Sequence, residues 1–268
     1  MPDIRLHIDD SGGDGRPVVL IHGWPLSAES WDDQTDALVA AGYRVVAYDR
    51  RGFGRSDKPD DGYDYDTLAA DLDQVLTDLD LQDVTLVGFS MGGGEVARYI
   101  AAYGQDRLRS VVLAAATPPY LLQSDDNPDG PLTDDARLEM RAGLEADRDS
   151  FFDEFTTGFF STADGLQVTE EQRQQAIALA QQSSQAAALA AMDAWATTDF
   201  RDDLGAISVP TLVIHGDGDQ TVPFEGSGRR THAAIDGSEL HVVEGAPHGM
   251  NVSHAEEFNR ALLDFLAR

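Results

Sequence analysis

The sequence predicts an α/β fold: a mostly parallel central sheet flanked by helices, with a helical cap inserted into it. Three observations carry this. Short apolar runs recur along the chain, several without polar alternation; helical patterns lie between them; and the alternation stops between about residues 118 and 205, where strand signals vanish. Runs that are apolar throughout suit strands buried on both faces of a parallel sheet. Strands alternating with helices suit βαβ units.

Strands are expected at 4–8, 18–21, 44–48, 84–87, 110–113, 211–214 and 240–243. Between the third and fourth, Leu68, Leu72, Val75, Leu76 and Leu79 form one stripe of a helix over 67–79. A helix over 95–103 follows the fourth strand. Inside 118–205, helices are expected at 134–146, 151–160 and through the Ala/Gln-rich run 170–195. Thr169 and Gln172 are spaced as a capping box, and Ile177, Leu189, Met192 and Trp195 supply apolar contacts. Pro118-Pro119 and Val209-Pro210 bracket this stretch. After the last strand, Ser253-x-x-Glu256 reads as a capping box opening a final helix that buries Phe258, Leu262 and Phe265. Residues 1–117 and 206–268 therefore form one core, and 118–205 the cap.

The formal net charge is −29, and Lys58 is the only lysine. Such a surface repels polyanions, so nucleic acid is excluded as a partner. It also repels itself unless salt screens it, the Debye length falling from about 10 Å at 0.1 M to about 3 Å at 1 M. The expected source is a salt-accumulating, halophile-like cytoplasm; an acidic mesophilic enzyme is the alternative. No apolar run approaches membrane-spanning length. Met1-Pro2-Asp3-Ile4-Arg5 lacks the basic and apolar regions of a signal peptide. No cysteine is present to form disulfides, thiol nucleophiles or thiolate metal sites. A cytoplasmic location is expected.

Gly88-Phe89-Ser90-Met91-Gly92 falls between a strand and a helix. A serine so placed sits on a strained turn with its oxygen clear of the sheet, and the flanking glycines leave room for the turn. A serine hydroxyl is a weak nucleophile that needs a base, and the base needs an orienting carboxylate. In this frame the partners follow in the order serine, acid, histidine. Of seven histidines, His248 in Gly245-Ala246-Pro247-His248-Gly249 lies on the loop after the last strand and is the expected base. His241 lies within a strand, His232 and His254 in helical patterns, and His22 and His215 at strand ends before Gly; structural roles are expected for these. The acid should follow the 211–214 strand. Asp219 is the choice there, with Asp217 shaping the turn beside Gly. The loop over 114–118 offers no carboxylate. Two backbone N–H groups must receive the developing oxyanion. Met91, next after the nucleophile, supplies one. Trp24 in His22-Gly23-Trp24-Pro25 supplies the other, since Pro25 has no N–H; plain core packing is the alternative role for Trp24.

With Tyr48-Asp49-Arg50-Arg51-Gly52-Phe53-Gly54-Arg55-Ser56 added, these motifs resemble the α/β-hydrolase superfamily, and within it the cofactor-free haloperoxidase/perhydrolase and aryl-esterase branch. The likeness covers nearly the whole chain and is weakest in the cap. It implies the α/β-hydrolase fold, a triad of Ser90, Asp219 and His248, oxyanion donors Trp24 and Met91, and no cofactor or metal. It also implies, through Pro25, perhydrolysis, in which peroxide replaces water. The family's N-terminal pair of strands is reduced here to little beyond 4–8.

Asp125-x-Asn127-x-Asp129-Gly130 imitates a calcium loop, but Ala136 stands at position 12 and Pro128 interrupts it; an acidic turn is expected. Phe151, Phe152, Phe155, Phe159, Phe160 and Trp195 are expected to be mostly core, with one or two lining an acyl pocket. The sequence thus reads as a serine esterase acting on small carboxylic esters, with water or hydrogen peroxide as co-substrate and no membrane partner. A carbon–carbon bond or lactone hydrolase with the same triad, a non-catalytic ligand receptor, and homo-oligomerisation all stay open.

Overall fold

The computed structural model describes residues 4–268; Met1–Asp3, part of the N-terminal reading above, lies outside the described residues. The chain forms β1 (His7–Asp10), β2 (Pro17–Ile21), β3 (Arg44–Asp49), β4 (Val84–Phe89), β5 (Leu108–Ala114), β6 (Ser161–Thr162), β7 (Gly165–Leu166), β8 (Thr211–Gly216) and β9 (Glu239–Val243). Its helices are α1 (Asp32–Ala40), α2 (Tyr65–Asp78), α3 (Met91–Tyr103), α4 (Asp134–Ala146), α5 (Arg148–Phe159), α6 (Glu170–Gln181), α7 (Gln185–Thr197), α8 (Arg201–Leu204), α9 (Gly228–Ala234), α10 (Met250–Ser253) and α11 (Ala255–Leu266).

Seven strands make one sheet in the order β1-β3-β2-β4-β5-β8-β9, parallel except for β1. Side chains alternate across it. Val19, Ile21, Val46, Tyr48, Leu86, Val111 and Leu113 join the α2 and α3 layer; Val18, Leu20, Val45, Ala47, Val87, Val112 and Ala114 join the layer of Trp31, Leu38 and α11. Both faces being covered explains why these strands are apolar throughout. Burying each such side chain contributes about 1.5–3 kcal/mol.

Strand β2 has β3 on one side and β4 on the other, so the chain reverses its direction of travel across the sheet here. Beyond the carboxyl ends of strands at such a switch point there is an open crevice. The register pairs Ile21 with Gly88, which sets the loops after β2 and β4 side by side.

Helices α2, α4, α5, α6 and α7 start at Asp64, Thr133, Asp147, Thr169 and Ser184, each of whose side chains accepts an N–H of the first turn. Such a cap contributes about 1 kcal/mol. The Thr169–Gln172 capping box is formed in both directions.

Several local expectations are corrected. The expected 4–8 strand runs instead over His7–Asp10, because Asp57 binds Arg5 through its backbone and carboxylate before pairing with β3 begins. The expected 170–195 helix is two helices, since Ser184 caps a new one and accepts from Ala187. A two-stranded ladder, β6–β7, interrupts the region in which no strand is expected. Ser253 forms no capping box: its hydroxyl bonds the Gly249 carbonyl and His254, and α11 opens at His254 without a side-chain cap. That helix still buries Phe258, Leu262 and Phe265.

The acidic 125–130 turn is closed by Asn127 Nδ2, which donates to the Tyr120 and Leu122 carbonyls, and Arg201 pairs with Asp126. Among the described residues no helix is long and apolar enough to cross a membrane.

Candidate active site

Ser90 ends β4 and stands at the head of α3, with φ +54° and ψ −120°. That strained conformation lifts Oγ away from the sheet. The close approach of α3 to the strands depends on glycine. A Cβ at Gly88 would fall 2.5 Å from the Gly92 carbonyl oxygen, and one at Gly92 would fall 2.5 Å from that of Ile21. A Cβ at Gly23 would lie 3.1 Å from Ser90 Cβ, so the loop after β2 presses against the serine.

His248, on the loop after β9, brings Nε2 to 2.9 Å from Ser90 Oγ, and its Nδ1 lies 2.6 Å from Asp219 Oδ2. Asp219 follows β8. Its other oxygen, Oδ1, accepts the N–H groups of Thr221 and Val222 at 2.9 and 2.8 Å. Burial works to raise the Asp219 carboxyl, but the charge on His248 and the hydrogen bonds from His215 and His248 outweigh it and hold the group at about 2. Asp217 accepts from the Gly245 N–H at 2.6 Å and so ties two loops together; it does not touch the imidazole.

The two residues expected as backbone donors lie beside the serine along the chain or in the loop pressed against it. Met91 opens α3, so its N–H has no acceptor one turn back. Trp24 follows Gly23 in the loop pressed on Ser90. The Trp24 ring packs as well: its indole N–H donates to the Ala188 carbonyl at 3.0 Å, and its face meets Phe155 edge-on at 4.9 Å. The packing role weighed for Trp24 is thus filled by its ring.

Further buried groups secure this geometry. Arg50 Nε donates to Glu95 Oε2 at 2.8 Å, its NH2 donates to the His22 carbonyl at 2.8 Å, and Tyr48 donates to Glu95. Burial raises the Glu95 carboxyl above its usual range although Arg50 pulls it down. Burial, then the Arg50 charge, lowers His22 to about 3; its neutral Nε2 accepts the Arg50 N–H. His22 is structural. So are His241, beside Glu257, and His232, bonded to Ser238. His254 lies between α10 and α11 against Ser253. His215 is buried too, and its Nε2 reaches Asp219.

The α4–α7 insertion reaches the site. Phe159 of α5 stands edge-on to the His248 ring at 4.9 Å, and Phe89 packs on the same ring at 5.1 Å. The Gly249 N–H donates to the Phe159 carbonyl at 2.9 Å. Ser90 is 6% exposed and His248 1%. A cavity of about 280 Å³ adjoins the triad loop, lined by Leu121, Leu132, Met140, Phe155, Trp195 and Pro223. A larger one, about 500 Å³, opens between Glu29, Asp32 and α6 and reaches Phe159; no residue of the serine–histidine–aspartate set lines either cavity. The smaller cavity is the one that Phe155 joins to Trp24 and that Gln220 and Thr221 join to Asp219. Glu95 carried no signal for these contacts; Arg50 lay within the Tyr48–Ser56 motif and Phe159 among the cap aromatics, but nothing in the sequence named their partners.

The arrangement can pass a proton from the serine hydroxyl to a buried imidazole and balance the resulting charge with a carboxylate. Residues 16–255 match the family profile for the alpha/beta hydrolase fold. The chain belongs to the α/β-hydrolase family. Within that family it is 47% identical over 257 residues to a non-heme chloroperoxidase of Kitasatospora aureofaciens, covering 95% of this chain and 93% of that one. It is 38% identical over 269 residues to a bifunctional esterase/perhydrolase of Acinetobacter calcoaceticus, covering 98% and 96%. Among solved structures, a bromoperoxidase from Bacillus anthracis superposes with a TM-score of 0.97 at 53% identity, covering 99% of this α/β hydrolase and 96% of that chain.

Proposed function

We propose that this α/β hydrolase is a serine esterase for small carboxylic esters, with perhydrolysis as a second activity. One observation carries the reading: the continuous line from Ser90 Oγ through His248, at 2.9 and 2.6 Å, to Asp219 on a strained elbow. Likeness to non-heme haloperoxidases and to an esterase/perhydrolase supports it.

His248 takes the Ser90 proton as Oγ attacks the ester carbonyl. The tetrahedral oxyanion is received by the N–H groups of Trp24 and Met91, donors of a kind whose single removal costs about 10²–10³-fold in rate. The imidazolium gives its proton to the departing alkoxide, which leaves as alcohol. Water, deprotonated by His248, then attacks the acyl-serine and yields the carboxylic acid. Hydrogen peroxide in the same place yields the peracid. Free in solution, the peracid transfers one oxygen to halide, giving hypohalous acid and the carboxylate, so the halide needs no site on the protein. The helices α4–α7 act as a cap over residues 118–205 that excludes water and shapes the acyl cavity of about 280 Å³.

Ser90→Ala leaves the pocket and removes the nucleophile. Turnover of p-nitrophenyl acetate should fall about 10⁶-fold, as for other triad serines, and labelling by an organophosphonate should vanish. Labelling retained at another residue would overturn the assignment.

The charge of −29 with one lysine supports a halophilic, salt-rich cytoplasmic setting for the enzyme. Unfolding followed from low to molar KCl should show a stability that rises with salt; a flat response defeats this reading.

A further inference from the structure

His215 closes β8 with its ring fully buried. Nε2 lies 2.8 Å from the Val222 carbonyl oxygen and 3.3 Å from Asp219 Oδ2, the same oxygen that His248 Nδ1 contacts. A carbonyl oxygen only accepts, so the ring proton resides on Nε2. Nδ1 is buried with no partner among the described residues. Gly228 packs close against it, so that a Cβ there would fall 2.4 Å from Nδ1. Phe224 covers another side of the ring at 5.6 Å. The titratable groups facing His215 are Asp219 and, across it, His248.

The Nε2–H donates to the Val222 carbonyl, and the same N–H edge also stands 3.3 Å from the one carboxylate oxygen shared with the base. We propose that His215 is a positioning residue that shares Asp219 with His248, spending part of that oxygen's charge and thereby setting how readily the catalytic imidazole gives up its proton. The proposal rests on the triad reading above. Asp219 then accepts three hydrogen bonds, from two backbone N–H groups on Oδ1 and from His248 on Oδ2, with the His215 N–H edge 3.3 Å from Oδ2 as a longer electrostatic contact. Removing the His215 donor leaves the carboxylate held by Thr221 and Val222. Its undivided charge then stabilises the His248 imidazolium, which must lose its proton at higher pH before Ser90 can react.

The test compares His215→Met, of similar length and without a donor, with His215→Gln, whose Nε2–H can replace the lost one. The rate of Ser90 labelling by an organophosphonate and kcat/KM for p-nitrophenyl acetate are measured against pH. In the Met variant the acid limb should move upward by roughly half a pH unit, with the plateau rate within about twofold of wild type. The Gln variant should return the limb to its wild-type position. An unshifted limb, or one shifted downward, overturns the proposal. If the Met variant does not fold, His215→Asn, whose amide is too short to reach Oδ2, should show the same upward shift. Wild-type protein that is not labelled at all would instead remove the esterase reading itself.

Discussion

Replacing Glu95 by Gln tests the buried frame behind the loop after β2. The carboxylate is fully buried and its partner Arg50 is 1% exposed, so neither charge has water to fall back on. In the variant the Arg50 guanidinium keeps its bond to the His22 carbonyl but loses its counter-charge. Breaking one partner of a buried pair costs about 3–5 kcal/mol. In a chain of this size each kcal/mol lowers Tm by about 2–4 °C, so the expected fall is about 6–20 °C. Circular dichroism melts in molar KCl measure it. Because His22 precedes the Gly23-Trp24 donor loop, kcat should drop more than KM rises. A double replacement by apolar residues, Arg50→Met with Glu95→Leu, should recover part of the stability but not the kcat. A Glu95→Gln melt within about 2 °C of wild type, equivalent to about 1 kcal/mol or less, refutes the claim that the variant leaves Arg50 a buried, uncompensated charge.

Asp219→Asn keeps the shape of the loop but lets the wrong imidazole tautomer form, so kcat should fall about 10⁴-fold with KM little altered; a fall under tenfold would remove Asp219 from its role. The wild-type carboxyl is held at about 2, below the value near 3.9 of an unfolded chain. Its folded pKa is depressed, so the stability it adds is present above about pH 4 and is lost as pH falls toward 2, which acid titration of Asp219→Asn against wild type should reveal as a missing acid-sensitive step. Gly92→Ala puts a methyl 2.5 Å from the Ile21 carbonyl oxygen. It should cost about 1–3 kcal/mol by overpacking and lower kcat by moving α3 from the loop after β2; a denaturant melt and kcat at wild-type values would show that the approach is not tight.

The parallel sheet was legible because each buried strand is a short run of Val, Ile, Leu and Ala, and burial on both faces leaves no polar alternation to confuse it. The elbow was legible for a related reason, since its glycine spacing and its strand and helix lie within a dozen residues. The helix beginning at Thr169 was legible from its capping pair, whereas the caps at Asp64 and Thr133 act in the same way without having been read. The misreading at Ser253 shows the limit of that logic: the right spacing was present, but the hydroxyl found the Gly249 carbonyl and His254 first. The break at Ser184 was hidden because Ala and Gln favour helix on either side of it, and one cap decides where the chain restarts.

What the sequence determined by itself is chemistry confined to neighbours along the chain: a serine on a tight turn, a histidine and an aspartate on loops after strands, and runs able only to be buried. Their backbone and side-chain preferences act over a few residues and so survive without any fold. Tertiary structure alone decided which distant groups share a site. Arg50 meets Glu95, His215 meets the same oxygen as His248, and Phe159 closes over the imidazole. Those pairings depend on strand register and helix packing across tens of residues, and no local pattern encodes which of several buried charges or rings will face each other once the sheet is assembled.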